Sequence, residues 1–479
     1  MKEFFITLKN SSLPKYQRLA ESFRSAIRGG HLHPGEALPS TRDLAKFLKM
    51  NRHTVMNALS ELVSEGWLQS LEKRGYFVTK TLPETFLRSK LITTDVPQGK
   101  PVKFHFARTL NASDYVGGQK YKHSFPSGHP DLRLFPMREF KSHLFDALKS
   151  GTVLAYGDPS GHEGLRREIA IYLRRVRNLE NRTIIVTNGS QEALFLLSQI
   201  LIKPGDAVAV EELGYSPAME ALRFAGAKLV PIAINEEGIV VDDLLMKLKK
   251  EKIRLFYTTP LHQYPTTVML SATRRLQLYE AALKNNIIIL EDDYDHEFHY
   301  VSQPVAPLAS FDPAGLVLYV STFSKILFPS ARLGFMAVPA EIGNQIAKLK
   351  RISSRQNEQI LQATICLWMQ SGGFERHLRR MRRIYEERRA AMLDSFEKLN
   401  HKHHKKISWI VPDGGMAMWV NIDQDSQAFH HLALQHSIHV NSESDYRLDN
   451  RPGTHLRLGF SGHTSLENDE GLSQLFQLL

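Results

Sequence analysis

The strongest constraint on the fold is an alternation of short β-branched runs with helix-length amphipathic segments through residues 116–479. Such alternation is typical of α/β domains, in which helices connect the strands of a largely parallel sheet. A long helical segment and further strand runs near the C-terminus indicate a smaller α/β lobe. The runs expected to form the main sheet are 183–186, 207–210, 228–232, 255–257, 287–290 and 317–320.

A different pattern occupies residues 1–80, so we expect a multi-domain protein. Residues 14–28 place apolar side chains at three- and four-residue steps, which predicts a helix ended by two glycines. Two further helices are expected to begin near Ser40 and Asn51. Residues 67–79 predict two short strands joined by a tight turn. This order of elements is that of a winged helix-turn-helix.

Charge supports a nucleic-acid partner for this N-terminal segment. The whole chain has a formal charge of +11, and residues 1–80 hold thirteen lysines and arginines against seven acidic residues. A concentrated positive charge favours contact with phosphates, here those of a double-stranded DNA operator. Charge alone leaves a simple solvated basic surface as the alternative.

The second helix of a helix-turn-helix enters the major groove, and the N-terminus of the supporting helix favours phosphate. The polar residues at these helix starts, and the basic pair at the tip of the wing, are therefore the expected DNA contacts. Some of them also sit where helix caps are needed. The candidates are Ser40, Thr41, Arg42, Arg52, His53, Thr54, Asn57, Lys73 and Arg74.

These residues carry a family resemblance. The runs LHPGEALPSTRDLA (32–45), NRHTVMNALSELVSEG (51–66) and GYFV (75–78) resemble the GntR-type winged helix-turn-helix. The resemblance covers residues 12–79 almost continuously and implies a DNA-binding domain.

In residues 81–115, prolines, threonines and charged residues interrupt any helical or strand periodicity, so we expect a linker between domains 1–80 and 116–479.

The single cysteine, Cys366, lies in an apolar run and is interpreted as a buried core thiol that forms no internal disulfide. No metal site is predicted. Since no run of about 18 apolar residues occurs, no membrane span is expected, and the cytoplasm is the simplest location.

Three short features of the larger domain follow predicted strands, at the sheet edge where α/β proteins bind ligands. TNGSQEAL (187–194) would let backbone N–H groups approach a phosphate. EDDYD (291–295) would place a carboxylate where it can stabilise a protonated pyridine nitrogen. STFSK (321–325), with Arg332 beyond it, offers a lysine suited to Schiff-base formation and groups that bind a phosphate monoester. Together they predict a pyridoxal 5'-phosphate (PLP) site.

The order and spacing of these motifs, together with YGDPSG (156–161), resemble the fold-type I aminotransferases. With the N-terminal head included, nearly the whole chain resembles the MocR/GabR group of regulators. The resemblance implies that Lys325 forms the internal aldimine with PLP, that Asp292 pairs with the pyridine nitrogen and that Tyr294 pairs with the phenolic oxygen. Asp293 is left open as an alternative to Asp292.

The same resemblance assigns the rest of the site. Tyr215 would stack on the cofactor ring, and Arg457 would bind the α-carboxylate of an amino-acid ligand. Tyr156 would reach a phosphate in a second subunit, which implies a homodimer with shared sites. The phosphate would be held by Gly189, Ser190, Gln191, Ser324 and Arg332.

One segment departs from the aminotransferase pattern. Where ordinary members carry Asn-Pro-Thr-Gly, this chain has HQYPTT (262–267), and His262 and Gln263 are candidates for polar contacts near the ring. The loss of the asparagine weakens the case for efficient transamination more than the case for PLP binding. We therefore interpret the chain as a DNA-binding regulator in which an amino-compound effector replaces Lys325 on PLP, as an external aldimine. A working aminotransferase with a regulatory head, and a constitutive DNA-binding protein on a dimerisation scaffold, remain the alternatives.

Overall fold

The structure, a computed structural model, describes residues 13–81, 83, 121–126, 128–301, 305–404, 407–449 and 451–479. The chain divides into two compact units, Met1–Asn111 and Ala112–Leu479. The predicted linker 81–115 lies almost wholly outside the described residues. No helix in these ranges has both the length and the apolar character needed to cross a bilayer.

The N-terminal unit has the predicted helices and hairpin. Ser40 accepts a hydrogen bond from the Asp43 backbone N–H, and Asn51 accepts one from that of His53, so both side chains cap helices as the sequence suggests. Phe23 and Leu59 are fully buried in the core between the helices. The elements are α1 Lys15–Arg28, α2 Thr41–Phe47, α3 Arg52–Ser64, β1 Leu68–Leu71 and β2 Gly75–Val78.

The two strands form an antiparallel wing. Leu68 pairs with Val78 and Leu71 pairs with Gly75, so the basic pair Lys73-Arg74 lies at the tip. Lys73 and Gly75 both have positive φ angles, 58° and 96°, which the tight turn requires. The winged helix-turn-helix is thus complete in the described part of this unit.

The C-terminal unit is built around a seven-stranded sheet. Its first part alternates strands and helices as the sequence predicts, and all six predicted runs form strands. In chain order the elements are β3 His123–Ser124, α4 Met137–Leu148, α5 Glu163–Arg177, β4 Thr183–Thr187, α6 Gly189–Leu201, β5 Ala207–Glu211, α7 Ser216–Phe224, β6 Lys228–Ile232, β7 Ile234–Asn235, β8 Gly238–Ile239, α8 Val241–Leu248, β9 Ile253–Thr258, α9 Ala272–Asn285, β10 Ile288–Asp292, β11 Val317–Thr322 and β12 Gly334–Val338.

The strand order in this sheet is β4-β12-β11-β10-β9-β5-β6. All neighbours are parallel except β12, which runs antiparallel to both β11 and β4. Both faces of the sheet are covered, since Ala207 and Ala209 pack into one apolar cluster and Val208 and Val210 into another. Because β4, β5, β9, β10 and β11 all run in the same direction, their carboxyl ends meet at one edge of the sheet.

The remaining elements are α10 Ala340–Ser353, α11 Ile360–Gln370, α12 Gly373–His403, β13 Ser408–Ile410, β14 Ala417–Asn421, α13 Ser426–Gln435, β15 Ile438–His439, β16 Asn441–Ser442, β17 His455–Gly459 and α14 Ser465–Leu478. Of these, α10 packs on β4 and α6, and α11 packs on α4 and α5, whereas the later strands belong to the smaller lobe. The four-stranded sheet of this lobe has the order β13-β14-β17-β16 with antiparallel pairs, and β15 pairs in parallel with β3. Cys366 is buried on α11, as expected.

The start of β12 packs closely against the turn between β4 and α6. A Cβ atom at Gly334 would lie 2.6 Å from the carbonyl carbon of Gly189 and 2.8 Å from the backbone nitrogen of Ser190. Backbone atoms cannot give way as a flexible side chain can. Glycine at position 334 is therefore required for this approach, which brings the phosphate-binding turn predicted from the sequence against the central sheet.

This contact gives a stability prediction. Gly334→Ala should overpack the turn and lower the free energy of unfolding of the C-terminal unit by about 1–3 kcal/mol. The change should appear as a lower Tm in scanning calorimetry of the full-length chain. Gly462→Ala is the matched control because a Cβ there would meet its nearest neighbour at 3.5 Å. Equal Tm values for the two variants would contradict the prediction.

Candidate functional site

A cavity of about 290 Å³ opens at the edge where the parallel strands end. This is the position at which open α/β sheets bind ligands. Most of the residues predicted from the sequence line it, together with several that were not predicted. The lining residues are Gly128, His129, Ser190, Gln191, Tyr215, Thr259, Tyr264, Asp292, Tyr294, Thr322, Ser324, Lys325, Pro329 and Arg332.

Lys325 follows β11 and places its amine inside this cavity. The Nζ atom donates a hydrogen bond to the Gly128 carbonyl oxygen at 2.9 Å and lies 5.9 Å from the centroid of the Tyr294 ring. Burial lowers the pKa of Lys325 to about 8, although Asp295 and Asp292 act in the opposite direction. An amine with this pKa is partly neutral near pH 7, which is the form that attacks a carbonyl carbon.

Asp292, the last residue of β10, has a carboxylate with one free acceptor. Its Oδ2 accepts a hydrogen bond from the Tyr257 hydroxyl at 3.0 Å, whereas its buried Oδ1 has no hydrogen-bond partner. Burial raises the pKa of Asp292 to about 7. A buried oxygen without a hydrogen-bond partner is costly in a folded protein, so this atom is well placed to accept a hydrogen bond from a ligand.

Asp293 is engaged elsewhere, which bears on the choice between the two acids. Its Oδ2 accepts hydrogen bonds from the Arg177 guanidinium and, at 2.7 Å, from the Tyr319 hydroxyl. Burial alone would raise its pKa, but Arg177 and the other partners lower it on balance. The geometry therefore favours Asp292 for the contact with a ring nitrogen.

Two tyrosines border the cavity between these groups. The Tyr294 hydroxyl donates to the backbone oxygen of His262 at 3.0 Å, and burial raises its pKa well above the ordinary value. The Tyr215 ring lies edge-on to Tyr264, with centroids 5.5 Å apart. Both predicted tyrosines thus present aromatic surface to a ligand in the cavity.

The other end of the cavity is suited to an anion. Gly189 and Ser190 form the N-terminus of α6, where backbone N–H groups and the helix dipole favour negative charge. Arg332 donates to the Asn188 backbone oxygen at 3.0 Å. A Cβ at Gly189 would approach the Arg332 guanidinium to 3.1 Å. Ser324 adds a hydroxyl, and Gln191, whose Oε1 is buried without a partner, completes the predicted set.

The cavity lining lacks three of the predicted cofactor and ligand residues, which are Gly189, Arg457 and Tyr156. Gly189 lies next to the lining residue Ser190 at the start of α6. Arg457 is 1% exposed, and its guanidinium lies 4.5 Å from the centroid of the Tyr264 ring and donates to the Pro265 backbone oxygen. Tyr264 itself lines the cavity, so the Arg457 guanidinium stacks on a residue of the cavity wall. Tyr156 is 80% exposed, with the Arg355 guanidinium 4.8 Å from its ring centroid.

His262 and Gln263 also lie outside the lining, because each has other partners. His262 Nδ1 lies 2.7 Å from Asp295 Oδ1, and Gln263 Nε2 donates to Glu211 Oε2 at 3.1 Å. The aromatic residue next in the segment, Tyr264, borders the cavity instead. The polar contacts with the ring suggested for His262 and Gln263 are therefore absent from the cavity lining.

Gly128 and His129 are the most informative residues that the sequence analysis missed. They come from a segment nearly two hundred positions before Lys325, and no local signal links the two. Gly128 has a φ of +67°, and a Cβ there would lie 3.2 Å from Lys325 Nζ. Burial and the neighbouring Lys325 lower the pKa of His129 to about 4, so its ring is neutral at physiological pH.

The residues present fit PLP. The cavity combines a buried lysine amine, a carboxylate oxygen without a partner and an anion cradle made by α6, Ser324 and Arg332. These groups match the aldehyde, the ring nitrogen and the phosphate of that cofactor.

The predicted DNA contacts occupy the starts of α2 and α3 and the wing tip of the N-terminal unit. Thr41 and Thr54 are half-buried, and the other seven predicted side chains are exposed. Arg52 Nε donates to the Thr41 hydroxyl at 3.3 Å, which ties the two helix starts together. The Arg74 guanidinium lies 5.9 Å from the Phe77 ring centroid. The structure thus places these polar groups on the surface that helix-turn-helix proteins turn towards DNA.

Two family models match the chain. The model for bacterial regulatory proteins of the gntR family matches residues 15–78, and the model for aminotransferase class I and II matches residues 125–475. A kynurenine aminotransferase from Pyrococcus horikoshii, solved with PMP, is 27% identical with a TM-score of 0.70 and aligns over 75% of this chain and 91% of its own. An archaeal alanine:glyoxylate aminotransferase is 28% identical with a TM-score of 0.70 over 76% and 91%.

Curated relatives align with most of the chain. The probable rhizopine catabolism regulatory protein MocR of Rhizobium meliloti is 30% identical over 87% of this chain and 81% of its own length. The transcriptional regulator TauR of Rhodobacter capsulatus is 30% identical over 79% of each chain. The chain therefore belongs to the MocR-type regulators, PLP-dependent DNA-binding proteins in which a gntR-family head precedes an aminotransferase class I and II domain.

Proposed function

We propose that the cavity senses an amino compound and that its occupation changes how the protein engages its operator. The observation that carries this proposal is the meeting of the buried Lys325 amine and the unpartnered Asp292 Oδ1 in one cavity. When bound, PLP supplies an aldehyde carbon that joins amines reversibly. An effector amine would therefore compete with Lys325 for the same carbon.

Each residue of the cavity has a part in this competition. Lys325 would hold the cofactor in the absence of effector and, once displaced, would remain nearby as a base. Asp292 would keep the ring nitrogen protonated, and Tyr215 would stack on the ring. Tyr294 would turn its single hydroxyl proton from the His262 backbone oxygen to the phenolic oxygen. The α6 N-terminus, Ser190, Ser324 and Arg332 would hold the phosphate throughout.

Arg457 would bind a carboxylate of the effector. Since the guanidinium is buried and stacks on the Tyr264 ring, that ring would move aside before a carboxylate reaches it. Recognition of the effector would thus be tied to a displacement within the domain. A ligand shifts an equilibrium between two arrangements only by its difference in affinity for them.

A homodimer would place two heads on one operator. Exposed apolar side chains on the C-terminal unit include Phe145, Leu154 and Ile352, together with the exposed ring of Tyr156. Exposed apolar side chains are candidates for an interface between two copies of the chain. Tyr156 would then reach the phosphate in the second subunit. Two heads would read two half-sites of the operator. A regulator that binds such an operator would act in the cytoplasm.

The cofactor assignment is tested by Lys325→Ala. The parent protein, incubated with PLP and freed of excess, should show a visible absorbance band that responds to one class of amine. The variant should lose nearly all of this band because the amine that holds the aldehyde carbon is gone. Lys348→Ala, which removes an exposed lysine of α10, should keep it. A parent that stays colourless would leave only a DNA-binding head on a dimerisation scaffold.

The DNA interface is tested by Arg52→Ala. Loss of a contact with a base edge or a phosphate should weaken binding to the DNA flanking the gene by about 1–3 kcal/mol, measured by mobility shift at fixed salt. Arg28→Ala removes the same charge from α1, where the guanidinium lies 5.1 Å from the Trp67 ring centroid, and should have a much smaller effect. Equal losses in the two variants would argue for a nonspecific contribution of charge.

Sustained transamination is a second candidate, because the cavity retains the lysine, the acid and the phosphate cradle of the aminotransferases. With an amino acid and a keto acid both in excess, we expect no more than about one product molecule per protein chain. We expect this limit because Tyr264 occupies the position before Pro265 where ordinary aminotransferases carry asparagine. Many turnovers per chain, followed by chromatography of the product, would show instead that the protein is a working enzyme.

A further inference from the structure

A second acidic side chain lies buried beside the cavity without lining it. Asp295 follows β10 in the EDDYD segment, three residues after Asp292, and its side chain is 2% exposed. Its Oδ1 lies 2.7 Å from His262 Nδ1, whose side chain is fully buried. Neither group is used in the function proposed above.

The surroundings hold this Asp295–His262 pair in one orientation. His262 Nε2 lies 3.4 Å from His299 Nδ1, and the two rings stack with centroids 5.7 Å apart. A Cβ at Gly414 would lie 2.2 Å from His262 Nε2, so only glycine leaves room for the ring there. The backbone oxygen of His262 accepts the hydrogen bond from Tyr294, which ties the pair to the cavity wall.

The second carboxylate oxygen of Asp295 is buried and has no hydrogen-bond partner. A buried carboxylate is stable only when nearby positive charge compensates the loss of water. Lys325 is such a group, since Asp295 is among the charges that favour its protonated amine. Tyr294 connects the pair to the cavity, because its hydroxyl donates to the His262 backbone oxygen at 3.0 Å and its ring centroid lies 5.9 Å from Lys325 Nζ.

We propose that Asp295, held by His262, is a positioning residue that supplies Lys325 with a second buried counter-charge beside Asp292. This inference rests on the cofactor role of Lys325 and not on effector sensing. Asp292 faces a ligand in the cavity, whereas Asp295 acts from behind the wall formed by Tyr294. Asp295 can then favour the protonated Lys325 nitrogen while Asp292 stays available for the ring nitrogen of the cofactor.

The sign of the effect follows from the charges that face Lys325. Asp292 on β10 and Asp295 in the following loop favour the protonated amine, while burial and Arg457 on β17 favour the neutral one. His129, in the segment before α4, is neutral and forms part of the same wall. Removing the charge of Asp295 should therefore lower the pH at which the Lys325 nitrogen loses its proton.

The first experiment is a pH titration of the visible band in the full-length, PLP-loaded protein. Asp295→Asn should move the midpoint to lower pH by about one unit, the effect of losing one nearby opposite charge. Glu297→Gln is the control for a polar substitution in the same loop, since burial raises the pKa of Glu297 to about 8 and Glu297 is not among the charges that act on Lys325. Its midpoint should equal that of the parent.

A second measurement does not need the cofactor. In the cofactor-free full-length chain, the rate at which a small acid anhydride acylates Lys325, followed by mass spectrometry of its peptide, rises with the fraction of neutral amine. The pH midpoint of this rate should fall in Asp295→Asn and stay unchanged in Glu297→Gln. If the protein never binds PLP, the proposed function is overturned. The pH midpoint of Lys325 acylation in Asp295→Asn then still decides this inference.

His262→Asn covers the case in which Asp295→Asn does not fold, as judged by circular dichroism. It keeps the acid but removes the ring that holds it, so both midpoints should move in the same direction by a smaller amount. The inference is overturned if the folded variant of either residue binds PLP and keeps the parental midpoint in both measurements. It is also overturned if Glu297→Gln produces the same displacement, because the displacement would then not depend on the charge of Asp295.

Discussion

Burial of the Lys325 amine at the carboxyl edge of the sheet sets demands that the surrounding residues meet. A buried ammonium is costly, and a lysine responds by losing its proton unless opposite charges stay close. Here the Gly128 carbonyl oxygen accepts from Nζ at 2.9 Å, and Asp292 and Asp295 supply negative charge. The pKa of about 8 is the balance between burial and these groups. A group with this balance can serve as a proton donor or as a nucleophile without large rearrangement.

At the same edge of the sheet, the chain packs closely at two positions that glycine occupies. Gly334 lets β12 touch the turn at Gly189, and Gly128 lets a distant segment reach the lysine, with a positive φ and 3.2 Å from a hypothetical Cβ to Nζ. Both glycines bring main chain, rather than side chain, against the cavity. Main-chain atoms packed in this way are already ordered by folding, whereas long side chains keep several rotamers, so a site framed by main chain loses less entropy when a ligand binds.

The sequence was sufficient for six of the seven strands of the main sheet and for the motifs at their ends. Buried runs such as 317–320 are recognisable because parallel strands covered on both faces are continuously apolar. β12 was missed because GFMAV contains a single β-branched residue and begins with glycine. The contacts of Gly128 with Lys325, and of His262 with Asp295, were out of reach because they join residues far apart in the chain. The choice between Asp292 and Asp293 needed the structure as well, since only the structure shows Arg177 and Tyr319 bound to Asp293.

The contact between Tyr264 and Arg457 gives the proposed sensor a physical source of bias. A cation–π contact in a desolvated site contributes on the order of 2 kcal/mol, and a hydrogen bond to a charged group contributes about 1.5–3 kcal/mol. A carboxylate that displaces the ring exchanges one contact for the other, so the net difference in free energy is about 1 kcal/mol or less. An amine without a carboxylate has no group that takes the place of the ring, so the Tyr264 ring stays on Arg457. Since each 1.4 kcal/mol changes a population ratio about tenfold, the exchange with a carboxylate is nearly balanced and therefore reversible.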